Sequence, residues 1–70
     1  MDSIQLGTVR LYQGRFNEAL SAYQEARATF EALKEPGGVA SAWHQMGMVH
    51  AEAGSFEAAE HAYKAALRAW

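Results

Sequence analysis

Apolar residues recur along this chain in steps of three and four. Phe16, Ala19, Tyr23, Ala26, Phe30 and Leu33 form one such series, and Phe56, Ala59, Tyr63, Ala66 and Trp70 form another. Because about 3.6 residues complete a helical turn, these steps put each series on one stripe of an α-helix. Asn17, Glu18, Gln24, Glu25 and Glu31 fall between members of the first series and make a solvated face. Trp43, Met46, Gly47, His50 and Gly54 carry the same spacing ahead of the second series. Gly14-Arg15 and Gly54-Ser55 break the pattern, as glycine does near a helix end. Ser55 has a hydroxyl that can cap the helix after it, whereas Arg15 cannot cap in that way. At Glu35-Pro36-Gly37-Gly38 the proline pushes Glu35 out of the helical region, and the glycines permit a tight reversal. Helices are thus predicted near 2–13, 16–34, 39–53 and 56–70. The abundance of Ala, Glu, Gln and Leu favours helix, and the scarcity of Val and Ile argues against a sheet.

The two halves of the chain also match each other at a shift of 40 residues. Gly7 falls on Gly47, Val9 on Val49, Gly14 on Gly54, Phe16 on Phe56, Ala19 on Ala59, Ala22 on Ala62, Tyr23 on Tyr63 and Ala26 on Ala66. Leu6/Met46 and Phe30/Trp70 add apolar pairs. The expected fold is all-α: two helix-turn-helix repeats, about 2–36 and 39–70, forming four antiparallel helices in one unit spanning 1–70. Gly7 and Gly47 remove a side chain where the two helices of a repeat cross. Ala19 and Ala59 are expected to face them, with Tyr23 and Tyr63 filling the space beside them. Phe16, Tyr23, Phe30, Phe56 and Tyr63 are assigned to the core.

Charge and composition narrow the function. Six Lys/Arg against eight Asp/Glu leave a formal charge of -2. The cations are scattered singly, so no basic stripe suited to nucleic acid forms. With no cysteine, stability rests on packing alone. No apolar run approaches the roughly 20 residues of a membrane span, and the N-terminus lacks a signal-peptide pattern. The expected compartment is the cytoplasm, with no membrane and no nucleic-acid partner.

A search for chemistry yields neither catalytic nor metal-ligating residues. His44 and His50 are six residues apart and point to different faces of one helix, whereas helical metal pairs are three or four apart. His44 is expected to face a groove, His50 to sit at the core edge and His61 to be exposed. Glu57 and Glu60 are read as solubility charges on an alanine-rich helix, with Lys64 four residues past Glu60. No phosphate-binding glycine loop and no nucleophile motif occurs, and Gly37-Gly38 follows a helix instead of a strand. No enzymatic activity and no cofactor are expected.

Leu6-Gly7, Gly14, Phe16, Ala19, Tyr23 and Ala26, and then Trp43, Met46-Gly47, Gly54, Phe56, Ala59, Tyr63 and Ala66, resemble the tetratricopeptide repeat signature over nearly the whole chain. The 40-residue period is longer than the usual 34. It resembles the kinesin-light-chain-like subclass, and Ala42-Trp43-His44-Gln45-Met46-Gly47 resembles repeats of large bacterial signalling proteins. The first repeat departs from the pattern: Ser3 stands opposite Trp43, and Arg10 stands where an aromatic is usual. The resemblance implies a protein-interaction module whose partner is a protein or peptide. It further implies a concave groove lined by the first helix of each repeat. Its positions fall on Ile4, Gln5, Thr8, Leu11 and Tyr12 and on His44, Gln45, Met48, Ala51 and Glu52. Members that grip a C-terminal carboxylate use Lys, Arg and Asn there. This chain has no Lys or Arg among them, so no such clamp is expected.

Solenoids of this kind need about three repeats and polar end caps. The last helix instead carries Ala62, Ala65, Ala69 and Trp70 outside or beside its core stripe, an end face expected to bury itself against another copy. The second function class is therefore a self-assembling structural unit, a homo-oligomer formed by stacking or by swapping a helix pair.

Overall fold

The computed structural model describes residues 3–69. It consists of α1 (Ser3–Tyr12), α2 (Phe16–Ala32), α3 (Pro36–Glu52) and α4 (Phe56–Ala69). No strand occurs among the described residues. Each helix packs on the next, α1 on α2, α2 on α3 and α3 on α4. This is the all-α succession of helical hairpins that the periodicity predicts.

Successive helices from α2 onward begin 20 residues apart, at Phe16, Pro36 and Phe56, and the three corners before them are built alike. In the first, Gly14 N–H donates to Leu11 O and Arg15 N–H donates to Arg10 O. Lys34 and Glu35 make the same bonds to Glu31 O and Phe30 O, and Gly54 and Ser55 make them to Ala51 O and His50 O. The paired bonds satisfy carbonyls that a helix end would otherwise leave unpartnered. They require a left-handed residue at the middle of each corner: Gly14 (φ 73), Lys34 (φ 56) and Gly54 (φ 78). The carbonyls of Arg15, Glu35 and Ser55 then accept the first helical bonds, from Ala19, Val39 and Ala59.

The middle corner corrects the expected reversal at Gly37-Gly38. Helix α3 begins at Pro36, three residues earlier than predicted. Proline suits the first helical position, where its fixed φ is helical and no N–H is needed. The turn is made by Leu33, Lys34 and Glu35, and both glycines lie in the first turn of α3. Gly38 serves packing: a Cβ there would collide with the ring of Phe30 on α2.

The core is small and lies between the helix pairs. Ala19, Tyr23, Met46, Val49 and Ala62 form its buried cluster, with Ile4, Leu11, Phe16, Leu20 and Trp43 packed around them. The glycines expected at the crossings do allow close approach, but their partners are tyrosines. A Cβ on Gly7 would lie 2.5 Å from Cε1 of Tyr23, and one on Gly47 would lie 2.6 Å from Cε1 of Tyr63. An aromatic ring set against bare backbone fills the crossing more completely than an alanine methyl would. The assignment of Phe56 to the core is overturned, for it is 72% exposed. Its equivalent Phe16 packs against the cluster.

Candidate protein-binding faces

Four of the expected groove residues come together. Leu11 and Tyr12 from the end of α1, and Met48 and Glu52 from α3, line one cavity of about 420 Å³ with Gly14 and Phe16. The corner at Gly14 brings Phe16 into its lining by returning the chain directly into α2. Tyr12 is 86% exposed at its mouth. Glu52 is the one charged residue in the lining, which is otherwise apolar and aromatic. An opening with aromatic and thioether walls and one carboxylate can take an apolar anchor next to a cation.

The other expected groove residues lie elsewhere or are committed to packing. Thr8 Oγ1 donates to Ile4 O at 3.0 Å and shares a hydrogen bond of 2.8 Å with the Tyr23 hydroxyl, so it serves the α1–α2 crossing. Gln5 is exposed and Gln45 is half-buried, and neither lines this cavity. His44 lines a different cavity, of about 440 Å³, with Ala40, Ser41, Tyr63, Ala66 and Leu67. Its ring lies tilted against Tyr63, centroids 5.3 Å apart. His50 is half-buried near the end of α3, and His61 is exposed with its ring edge to Trp43, centroids 6.3 Å apart.

The open side of α4 differs from the end face expected there. Ala62 is 1% exposed, buried against the chain itself, and so cannot belong to a free surface. A residue on the α4 stripe facing α3 is covered within the hairpin, whatever follows. Ala65 and Ala69 are half-buried, and Trp70 lies outside the described residues. The apolar surface here is instead Phe56 and Leu67, 72% and 77% exposed, with half-buried Tyr63 between them. The signal was present in the periodicity, since Phe56, Tyr63 and Leu67 share one stripe of α4.

Most charged side chains are exposed. Lys64 Nζ lies 2.9 Å from Glu60 Oε1 one turn earlier on α4. Its hydrogen bond, and then its charge, hold the Glu60 carboxyl below the ordinary carboxylate value. Arg15 and Glu18 pair at 3.5 Å, and Arg27 pairs with Glu31. Arg27 also lies over the Trp43 ring, 5.3 Å from its centroid, tying α2 to α3. Among the described residues, no cluster of His, Cys, Asp or Glu could hold a metal ion. None of the helices is long and apolar enough to cross a membrane.

Comparison with curated proteins and with solved structures finds no match. The model of one family, described as Tetratricopeptide repeat, matches residues 1–70. With its successive helical hairpins, glycine–tyrosine crossings and 40-residue self-match, the chain belongs to the tetratricopeptide repeat family.

Proposed function

We propose that this chain is a protein-binding module that takes a short segment with an apolar anchor and a neighbouring basic residue into the cavity between α1 and α3. The observation that carries this reading is the convergence of Leu11, Tyr12, Met48 and Glu52 on one cavity. Membership of a family of protein-interaction repeats supports it. Residues 1–70 are proposed to work as one unit of two repeats, by binding alone and without a cofactor. The 40-residue period and the Ala42–Gly47 stretch support a finer assignment, to a scaffold segment of a larger cytoplasmic signalling protein of bacterial type.

The reading is tested by titrating labelled amphipathic peptides that share Leu and Phe anchors but carry either Lys or Glu beside them. The Lys peptide should bind, and the Glu peptide should not. Tyr12→Ala and Glu52→Lys should each weaken the Lys peptide about tenfold, the effect of losing one anchor or one charge pair. Equal binding of both peptides, or indifference to both substitutions, would reject this cavity as the binding face.

The exposed Phe56 and Leu67 favour a second reading, that the chain also associates with itself through the open side of α4. Large apolar side chains grouped on one face mark an interaction surface. Sedimentation over a range of concentrations reads this directly, and a monomer throughout would remove it.

A further inference from the structure

The outer stripes of α2 and α4 correspond by sequence but differ in environment. On α2 the stripe is Phe16, Leu20, Tyr23, Gln24 and Arg27. Helix α3 covers most of it and leaves Gln24 exposed: Tyr23 is buried, Phe16 and Leu20 pack on the core cluster, and Arg27 lies over Trp43. Forty residues later the stripe is Phe56, Glu60, Tyr63, Lys64 and Leu67. The two aromatics are kept, and the other three positions change in kind.

The change at Leu20 makes α4 less suited to the cover that α2 has. A helix laid on α4 as α3 lies on α2 would set the Glu60 carboxylate where Leu20 packs, and desolvating a carboxylate is costly even with Lys64 beside it. Leu67 cannot stack on an aromatic ring as the Arg27 guanidinium does. What the stripe acquires instead is a pattern whose charges exchange sign when it is reversed. It runs apolar, acidic, aromatic, basic, apolar, from Phe56 through Glu60, Tyr63 and Lys64 to Leu67. At about 100° per residue, all five side chains fall within an arc of roughly 100°. Phe56 and Leu67 stand about 16 Å apart along the axis.

A twofold interface sets one patch against itself, so a stripe that is its own complement in reverse fits that symmetry. Two antiparallel copies of α4 centred near residues 61 and 62 bring Phe56 of each to Leu67 of the other, and Glu60 of each to Lys64 of the other. The Glu60–Lys64 pair that already spans one turn at 2.9 Å then becomes one half of a four-charge network. We propose that α4 pairs antiparallel with α4 of a second copy, Phe56 against Leu67 and Glu60 against Lys64. This deepens the self-association reading and rests on it. It does not involve the cavity between α1 and α3.

The charge arrangement supplies the test. Glu60→Lys leaves two lysines on the stripe, and Lys64→Glu leaves two glutamates, so each variant repels itself in the antiparallel pair. A mixture of the two restores both opposite-charge contacts between the helices. Sedimentation equilibrium of the 70-residue chain from about 1 µM to 1 mM should show a dimer that grows no further. Each single variant should associate at least about tenfold more weakly, and an equimolar mixture should recover parental affinity as a heterodimer. Circular dichroism on each variant confirms unchanged helix content, as expected for substitutions at exposed positions.

The proposal is overturned if the parent stays monomeric to the highest concentration. It is equally overturned if the variants associate like the parent, or if mixing gives no recovery. Growth beyond a dimer that both charge variants retain and that Val9→Glu on α1 abolishes would mean head-to-tail stacking. That outcome would leave self-association standing while removing the antiparallel pair.

Discussion

Tyr23 and Tyr63 hold the same place in the two halves of the molecule, each ring lying against a glycine of the preceding helix. Tyr23 is fully buried, and its hydroxyl shares a hydrogen bond with Thr8. Tyr63 is half-buried, and the residue standing where Thr8 stands is Met48, which has no hydroxyl. Phe16 and Phe56 diverge in the same direction, one packed on the core and the other open to solvent. The hairpins themselves are alike; what differs is that α3 lies over the Phe16–Tyr23 stripe of α2 and no helix among the described residues lies over the corresponding stripe of α4. In a molecule of this kind each unit makes its own crossing, but the burial of its outer stripe is supplied by a neighbour.

The sharpest way to probe the difference is to remove both rings. Tyr23→Ala should cost about 3–5 kcal/mol, the range for emptying a fully buried aromatic site, and Tyr63→Ala roughly half as much. A chain of this length has only about 3–5 kcal/mol in reserve, so the first variant should be largely unfolded by circular dichroism and the second folded. Equal losses would mean that the two tyrosines are equally buried in solution.

A methyl group at each crossing tests the same contrast more gently. The added Cβ of Gly7→Ala meets a ring that α3 and Thr8 hold in place, whereas that of Gly47→Ala meets a ring free to shift toward solvent. Overpacking of about 1–3 kcal/mol is expected at Gly7, reduced by the helix preference of alanine over glycine. Gly47→Ala should cost less than about 1 kcal/mol for the same two reasons. Chemical denaturation midpoints in the opposite order would show that the second crossing is the more rigid one.

The corners provide a smaller effect of opposite sign. Lys34 holds the left-handed conformation that Gly14 and Gly54 hold at the other two corners. Lys34→Gly should therefore raise stability by about 0.5–1 kcal/mol, since it relieves a side chain of a conformation that glycine adopts freely. A lower melting temperature for this variant would mean that the lysine side chain holds the corner in some other way.

The smallest effect concerns acid. The Glu60 carboxyl is held below its ordinary value by Lys64, so its contribution to stability is present above the carboxylate range. That contribution is lost as pH falls through the lowered value, because the unfolded chain takes up the proton first. Lys64→Gln should flatten this part of the stability–pH profile and leave the neutral-pH melting temperature nearly unchanged, as expected of an exposed pair. A profile identical to the parent's would show that the pair does not persist in solution.

The four helices and their pairing were legible from one-dimensional spacing. Apolar steps of three and four mark a stripe wherever they occur, and the 40-residue self-match marks units that repeat a shape. Four members of the α1–α3 cavity, Leu11, Tyr12, Met48 and Glu52, followed from the family resemblance, because they sit on the first helix of each repeat. Other readings failed where a local rule met a tertiary demand. Pro36-Gly37-Gly38 has the composition of a linker, yet it opens α3 because the proline fits a helix start and Gly38 makes room for the Phe30 ring. Ala62 looks like any surface alanine of α4 until α3 covers it.

The amphipathic period, the helix breaks and the internal repeat are properties of neighbours in the chain, and reading them requires only the local geometry of a helix. Which stripe is covered is a property of neighbours in space. Phe16 and Phe56 are the same residue in the same register, and their burial differs because a helix about 20 to 36 positions further along the chain lies over one and not the other. Periodicity states that a face is apolar. Only the packed structure states what, if anything, lies against it, since burial depends on contacts between segments far apart in sequence.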